Sequence, residues 1–136
     1  MTKIVDISSL NLNAVADSEI PYKMIVKRAD GSITPLVLHV LGQNADVVER
    51  WNSKIFTQWQ RDELMAKRKG KEAEPKSFDE YKDGNIDGAL VRVVGWEGVS
   101  NEFSKDKMRE IITNNPHLRD EIVEVSQDAA NFTKTA

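Results

Sequence analysis

The sequence contains no cysteine. Disulfide staples, thiolate metal sites and cysteine nucleophiles are therefore excluded. Histidine is scarce: His39 and His117 are the only two, and neither has a second ligand at H-x-x-E or H-x-x-x-H spacing. There is no G-x-x-x-x-G-K-[ST] phosphate loop and no G-x-S-x-G nucleophile elbow. No apolar run approaches the ~18 residues that span a bilayer. The stretch MTKIVDISSL has one lysine and no apolar run leading to a small-residue cleavage site, so it does not read as a secretory signal. Together these absences predict a soluble intracellular protein with no catalytic residue, no cofactor and no metal. Such a protein would work by binding other proteins.

What is present suits one folded domain. The chain has 136 residues, 40% of them hydrophobic and 30% charged. That length can bury its own core. The net charge of −3 lowers the expectation of a nucleic-acid partner, which usually selects a basic face.

Residues 1–19 are polar and small, and read as a flexible arm. Ile4, Ile7 and Leu10 could supply a short apolar contact there. Over 20–41 two β-prone runs flank Ala29-Asp30-Gly31-Ser32. Asp-Gly between apolar runs is a hairpin signal, because glycine accepts positive φ cheaply. Pro35 has no N–H, so it fits an edge position or a bulge. The hairpin is read as the only sheet, and a lone hairpin is marginal until it packs on something.

The remainder, 44–132, reads as helical. Residues 44–69 predict a long first helix with Asn44 as N-cap and Gly70 as its stop. Val48, Trp51, Ile55 and Trp59 recur at spacings of three and four, so they share a face. Residues 70–79 are charged, contain Pro75 and predict a mobile loop. A second helix is predicted over 79–95, with Ile86, Leu90, Val93 and Val94 on its apolar face. Gly84 and Gly88 weaken it by about 1 kcal/mol each, unless close packing needs the missing side chains. Ser104 is an N-cap for a third, short helix carrying Met108, Ile111 and Ile112. Asn114-Asn115-Pro116 ends it, and Pro116 is placed to start a fourth. Leu118, Ile122, Val125, Ala129 and Phe132 form one stripe on that last helix, and 133–136 should fray.

The expected fold is α+β: an N-terminal β-hairpin packed on a mainly helical body of about four helices, the first one long. The single domain spans 20–132.

Candidate sites are few. Asp79, Glu80, Asp83 and Asp87 are the densest acidic group, but they lack the register and closing Glu of an EF-hand loop. The stretch from Arg61 to Lys76 has six Lys/Arg against four Asp/Glu. No aromatic interleaves that cluster, which argues for a solvated helix end over a single-strand binder. Trp51, Trp59 and Trp96 can each bury roughly 150–250 Å². Most of that area is expected in the core, and Trp96, which closes a helix, belongs there most strongly. An amphipathic helix recognises a partner helix through anchors at i, i+3, i+4 and i+7. The candidate anchors are Trp51, Ile55 and Trp59 on the first helix and Ile122, Val125 and Phe132 on the last. For each, the competing reading is that it faces the protein's own core.

The C-terminal half resembles a known family. The residues that carry the resemblance are Gly88-Ala89-Leu90-Val91-Arg92-Val93-Val94-Gly95-Trp96-Glu97-Gly98-Val99, then Phe103-Ser104-Lys105-Asp106-Lys107-Met108, then Asn115-Pro116-His117-Leu118 and Asn131-Phe132. This pattern is similar to tail assembly chaperones of long-tailed bacteriophages. It shares a W-x-G-V type turn, a Phe-Ser helix start, a proline break and an Asn-Phe ending. The match covers about residues 86–132, and its motifs are structural. The resemblance implies a non-enzymatic protein that binds the tape measure protein and keeps it soluble during tail morphogenesis. It implies the host cytoplasm and absence from the mature virion. The tail tube protein is a second expected partner, and self-association is expected. Two other readings stay open: another phage morphogenesis or minor tail component, and a small nucleic-acid-binding regulator using the Lys67–Lys76 region.

Overall fold

The Asp30-Gly31 pair turns the chain between two strands, β1 (Tyr22–Lys27) and β2 (Ile33–Val40). Gly31 has φ +89, and the Asp30 carboxylate accepts from the Ser32 N–H at 2.9 Å and from its hydroxyl at 2.7 Å. Those bonds hold the Asp30 carboxyl below the usual aspartate range. The computed structural model describes residues 4, 6–10, 17–70 and 78–132. The body is α+β, with helices α1 (Asp46–Arg68), α2 (Phe78–Arg92), α3 (Lys105–Asn114) and α4 (Pro116–Gln127). Short 3-10 turns occupy Ile7–Leu10 and Ala129–Phe132. Most of the predicted loop 70–79 and the predicted tail 133–136 lie outside the described residues.

The hairpin is not the only sheet element. A third strand, β3 (Val93–Glu97), pairs antiparallel with β2 and makes β2 central. Val93 and Val94, expected on a helical face, belong to this strand. The physical reason is non-local. Leu38 and Val40 of β2 are completely buried. A second edge of β2 left unpaired there would strand backbone donors and acceptors away from water. The β-branched run at 93–94 supplies the partner, so α2 ends at Arg92.

Pro35 now sits in a central strand, and a register irregularity accommodates it. Ile25 pairs with Val37 and Lys27 with Ile33, so β2 spends extra residues around Pro35 where the ladder is broken. A bulge is where a residue without an N–H is tolerated.

The core lies between one sheet face and the helices. Met24, Val26, Leu38 and Val40 meet Ile86 and Ala89 of α2, Met108 and Ile112 of α3, and Leu118 and Ile122 of α4. Gly88 of α2 lets the Trp51 ring approach, since a Cβ there would stand 3.1 Å from it. Gly84 meets nothing within 4 Å, and nothing in the structure explains it.

The helix ends show where local signals suffice. Ser104 caps α3, its hydroxyl accepting from the Lys107 N–H at 3.1 Å, and Pro116 opens α4. Ser104→Ala should cost about 1 kcal/mol. Urea unfolding checks this, and a loss below a few tenths would mean that the cap bond contributes nothing. For α1 the expected Asn44 cap is not used. Ala45 takes the cap position, and Glu19, far away in sequence, accepts from the Asp46 N–H at 2.5 Å. A carboxylate there also complements the helix dipole. The end of the predicted arm is thereby tied to the body: Asp17 and Ser18 are buried, and the Ser18 carbonyl accepts from Gly42 N at 2.9 Å.

Candidate functional site

Among the described residues, His39, His117 and the acidic residues do not converge on one site. His39 lies on the sheet face opposite the core, with its ring against Gly95. Its Nε2 is 3.7 Å from Glu97, which is itself 3.3 Å from Lys23 Nζ. His117 opens α4 with Nε2 3.4 Å from the Lys27 carbonyl. Asp87, from the acidic cluster, pairs with Arg109. Among the described residues, no three of His, Cys, Asp and Glu are grouped to hold a metal.

Among the described residues the most buried charge is Arg92, 4% exposed at the end of α2. Its guanidinium donates to Ser126 Oγ at 3.0 Å, to Gln43 Oε1 at 2.7 Å and to the Gly88 carbonyl. Burial pushes its pKa down from the usual arginine value. All three acceptors are neutral, so the group stitches α2, α4 and the β2–α1 connection together. Nearby, Lys105 Nζ donates to the Leu90 and Val93 carbonyls at 2.7 and 2.5 Å. It satisfies acceptors where α2 passes into β3, and burial lowers its pKa as well.

The distinctive surface is apolar and sits on α1. The helix has 23 residues, about 34 Å at 1.5 Å per residue, yet only Val48 is fully buried. Trp51 and Ile55 are half-buried. Beyond them Phe56 and Trp59 stack with ring centroids 6.1 Å apart, 57% and 48% exposed. Leu64 and Met65 are each about half exposed as well. An apolar groove of about 450 Å³ lies nearer the body, between Val47 and Trp51 of α1, Leu90 and Val91 of α2, and Val94 of β3.

The six predicted anchors therefore divide. Trp59 is open, Trp51 and Ile55 are partly covered, and Val125 packs at the edge of the core. Ile122 and Phe132 are interior, at 0% and 4% exposure. Phe132 is not on the helical stripe expected for it. Asp128 ends α4, and its carboxylate accepts from the Ala130 N–H at 3.1 Å, turning the chain inward. Trp96 is half-buried in β3, edge-on to Phe103 at 5.1 Å, and its Nε1 donates to the Asn101 carbonyl at 2.8 Å.

Sequence reasoning missed Phe56, Leu64 and Met65. The Val48 stripe drew attention to one face, and Phe56 lies about 80° round the helix from it. The usable signal was length: apolar residues continue along α1 well past the 15 residues of α2. No helix among the described residues is long and apolar enough to cross a membrane. No protein-family model, no curated protein sequence and no solved structure matches this chain.

Proposed function

We propose that this chain is a non-enzymatic tail assembly chaperone of a long-tailed bacteriophage. It binds the tape measure protein and holds it soluble during tail morphogenesis. The observation that carries the reading is the uncovered apolar surface of α1, with Phe56, Trp59, Leu64 and Met65 about half exposed on one helix. Apolar exposure of this kind marks an interaction site. The phage assignment rests on the sequence pattern of 86–132, and each of its motifs has a structural job. Gly98 of the Trp96-Glu97-Gly98-Val99 turn has φ +90 against Pro35. Ser104 and Pro116 start the last two helices.

Co-expression with the tape measure protein of the same genome, followed by size-exclusion chromatography with light scattering, tests the proposal. A soluble co-eluting complex is expected. Trp59→Glu should abolish co-elution while leaving the thermal midpoint within a few degrees of wild type, because half of that ring is already in water. An insoluble tape measure beside free, folded protein would overturn the reading.

A further inference from the structure

We propose that the distal half of α1 is a docking surface for an acidic amphipathic helix. The inference rests on reading this chain as a binding protein and goes further by naming the chemistry of the partner.

Three observations converge on this segment. First, it is helical without support. From Phe56 to Arg68 no side chain is buried. A helix of about 13 residues is marginal in water unless packing holds it. Second, three of its exposed apolar side chains, Phe56, Trp59 and Leu64, fall within about 140° of the helix circumference, with Met65 on the far side. Phe56 and Trp59 are spaced i, i+3 and stack, and Leu64 follows Phe56 at i+8, about 80° round the helix on the other flank, so the three are within reach of one partner helix. Third, its charge is opposite to that of the whole chain. Residues 54–69 carry Lys54, Arg61, Lys67, Arg68 and Lys69 against Asp62 and Glu63, a balance of +3 in a chain of −3. All five cations are exposed, and none pairs with a carboxylate among the described residues.

The placement of those cations selects the occupant. Arg61 and Arg68 flank Leu64 at i−3 and i+4, on the same side of the helix. A helix seated on Phe56, Trp59 and Leu64 would meet them along one border, where carboxylates complement them. A second copy of this chain docked through the same segment would set +3 against +3, which like-charge repulsion disfavours. Nucleic acid would satisfy the charge, but it would leave the Leu64 side chain without an apolar partner.

The test uses two synthetic amphipathic peptides of about 18 residues, with leucines at i, i+3, i+4 and i+7. One carries glutamate on both flanks; the other carries lysine at the same positions. Fluorescence polarisation with the full-length chain should show the glutamate peptide binding at least tenfold more tightly at low salt. That preference should shrink as salt screens it. Trp59→Ala should weaken the glutamate peptide at least tenfold. The double variant Arg61→Glu, Arg68→Glu should reverse the preference, with circular dichroism confirming an unchanged fold for each variant. Equal binding of the two peptides, no binding of either, or indifference to both variants would overturn the proposal. So would tighter binding of a single-stranded oligonucleotide than of the glutamate peptide. The two readings fail separately. A co-eluting tape measure with no peptide binding removes this surface and leaves the chaperone reading. Peptide binding without a tape measure complex does the opposite.

Discussion

Replacing Phe132 with alanine should lower the unfolding free energy by about 3–5 kcal/mol, the usual cost of emptying a buried phenylalanine site. The ring is 4% exposed. It lies edge-on to Tyr22 with centroids 6.4 Å apart, and close enough to Gly42 that a Cβ there would come within 3.0 Å of it. An open cleft of about 180 Å³ already lies beside it, lined by Asp17, Ile20 and Tyr22 among others. Truncation would enlarge that cleft, and the backbone tied through Ser18 and Gly42 has little freedom to collapse into it. Urea unfolding measures the effect. A domain of this size has only about 5–15 kcal/mol in total, so the midpoint should fall sharply. The result also separates two roles for the residue. A partner anchor would lose binding and keep its stability. A loss below about 1 kcal/mol would remove Phe132 from the core.

Gly98→Ala should be nearly as damaging, and Gly31→Ala is its control. Both glycines have almost the same backbone angle, φ +90 and +89. For an alanine that conformation costs about 1–2 kcal/mol. The surroundings differ. A Cβ on Gly31 meets nothing within 4 Å, whereas one on Gly98 would fall 1.8 Å from the Pro35 carbonyl oxygen. That oxygen belongs to the irregular stretch of the central strand, so relief requires moving backbone in the middle of the sheet. The expected loss is about 1–2 kcal/mol at Gly31 and about 3 kcal/mol or more at Gly98, where backbone displacement adds to the angle strain. Parallel denaturant titrations isolate the steric contribution as the difference. Equal losses would show that the turn yields cheaply, and that Gly98 is there for its angle alone.

One residue of the candidate surface, Trp59, was legible before any coordinates; Phe56, Leu64 and Met65 were not. Trp59 follows Val48, Trp51 and Ile55 at spacings of three and four on a helix with basic residues at its end, and it emerges half exposed. Trp51 and Ile55 share its stripe, yet they are half covered where α2 runs beside them. Periodicity says which residues lie on one face. It does not say how far along that face the partner element extends. The same limit explains Ile122. Its spacing on α4 was right for an anchor, and equally right for the core position it occupies.

Local chemistry determined the hairpin at Asp30-Gly31, the Ser104 cap, the Pro116 helix start and the long α1, because each depends on residues a few positions apart. The absence of cysteine likewise excludes disulfides and thiolate chemistry within this sequence from composition alone. Only the tertiary structure decided that Val93–Glu97 is a strand, that Glu19 caps α1, that Arg92 is buried among neutral acceptors and that Phe132 turns inward. Each of these joins parts of the chain far apart in sequence. In each, the free energy of satisfying a buried polar group or filling a core site outweighs a local preference of about 1 kcal/mol.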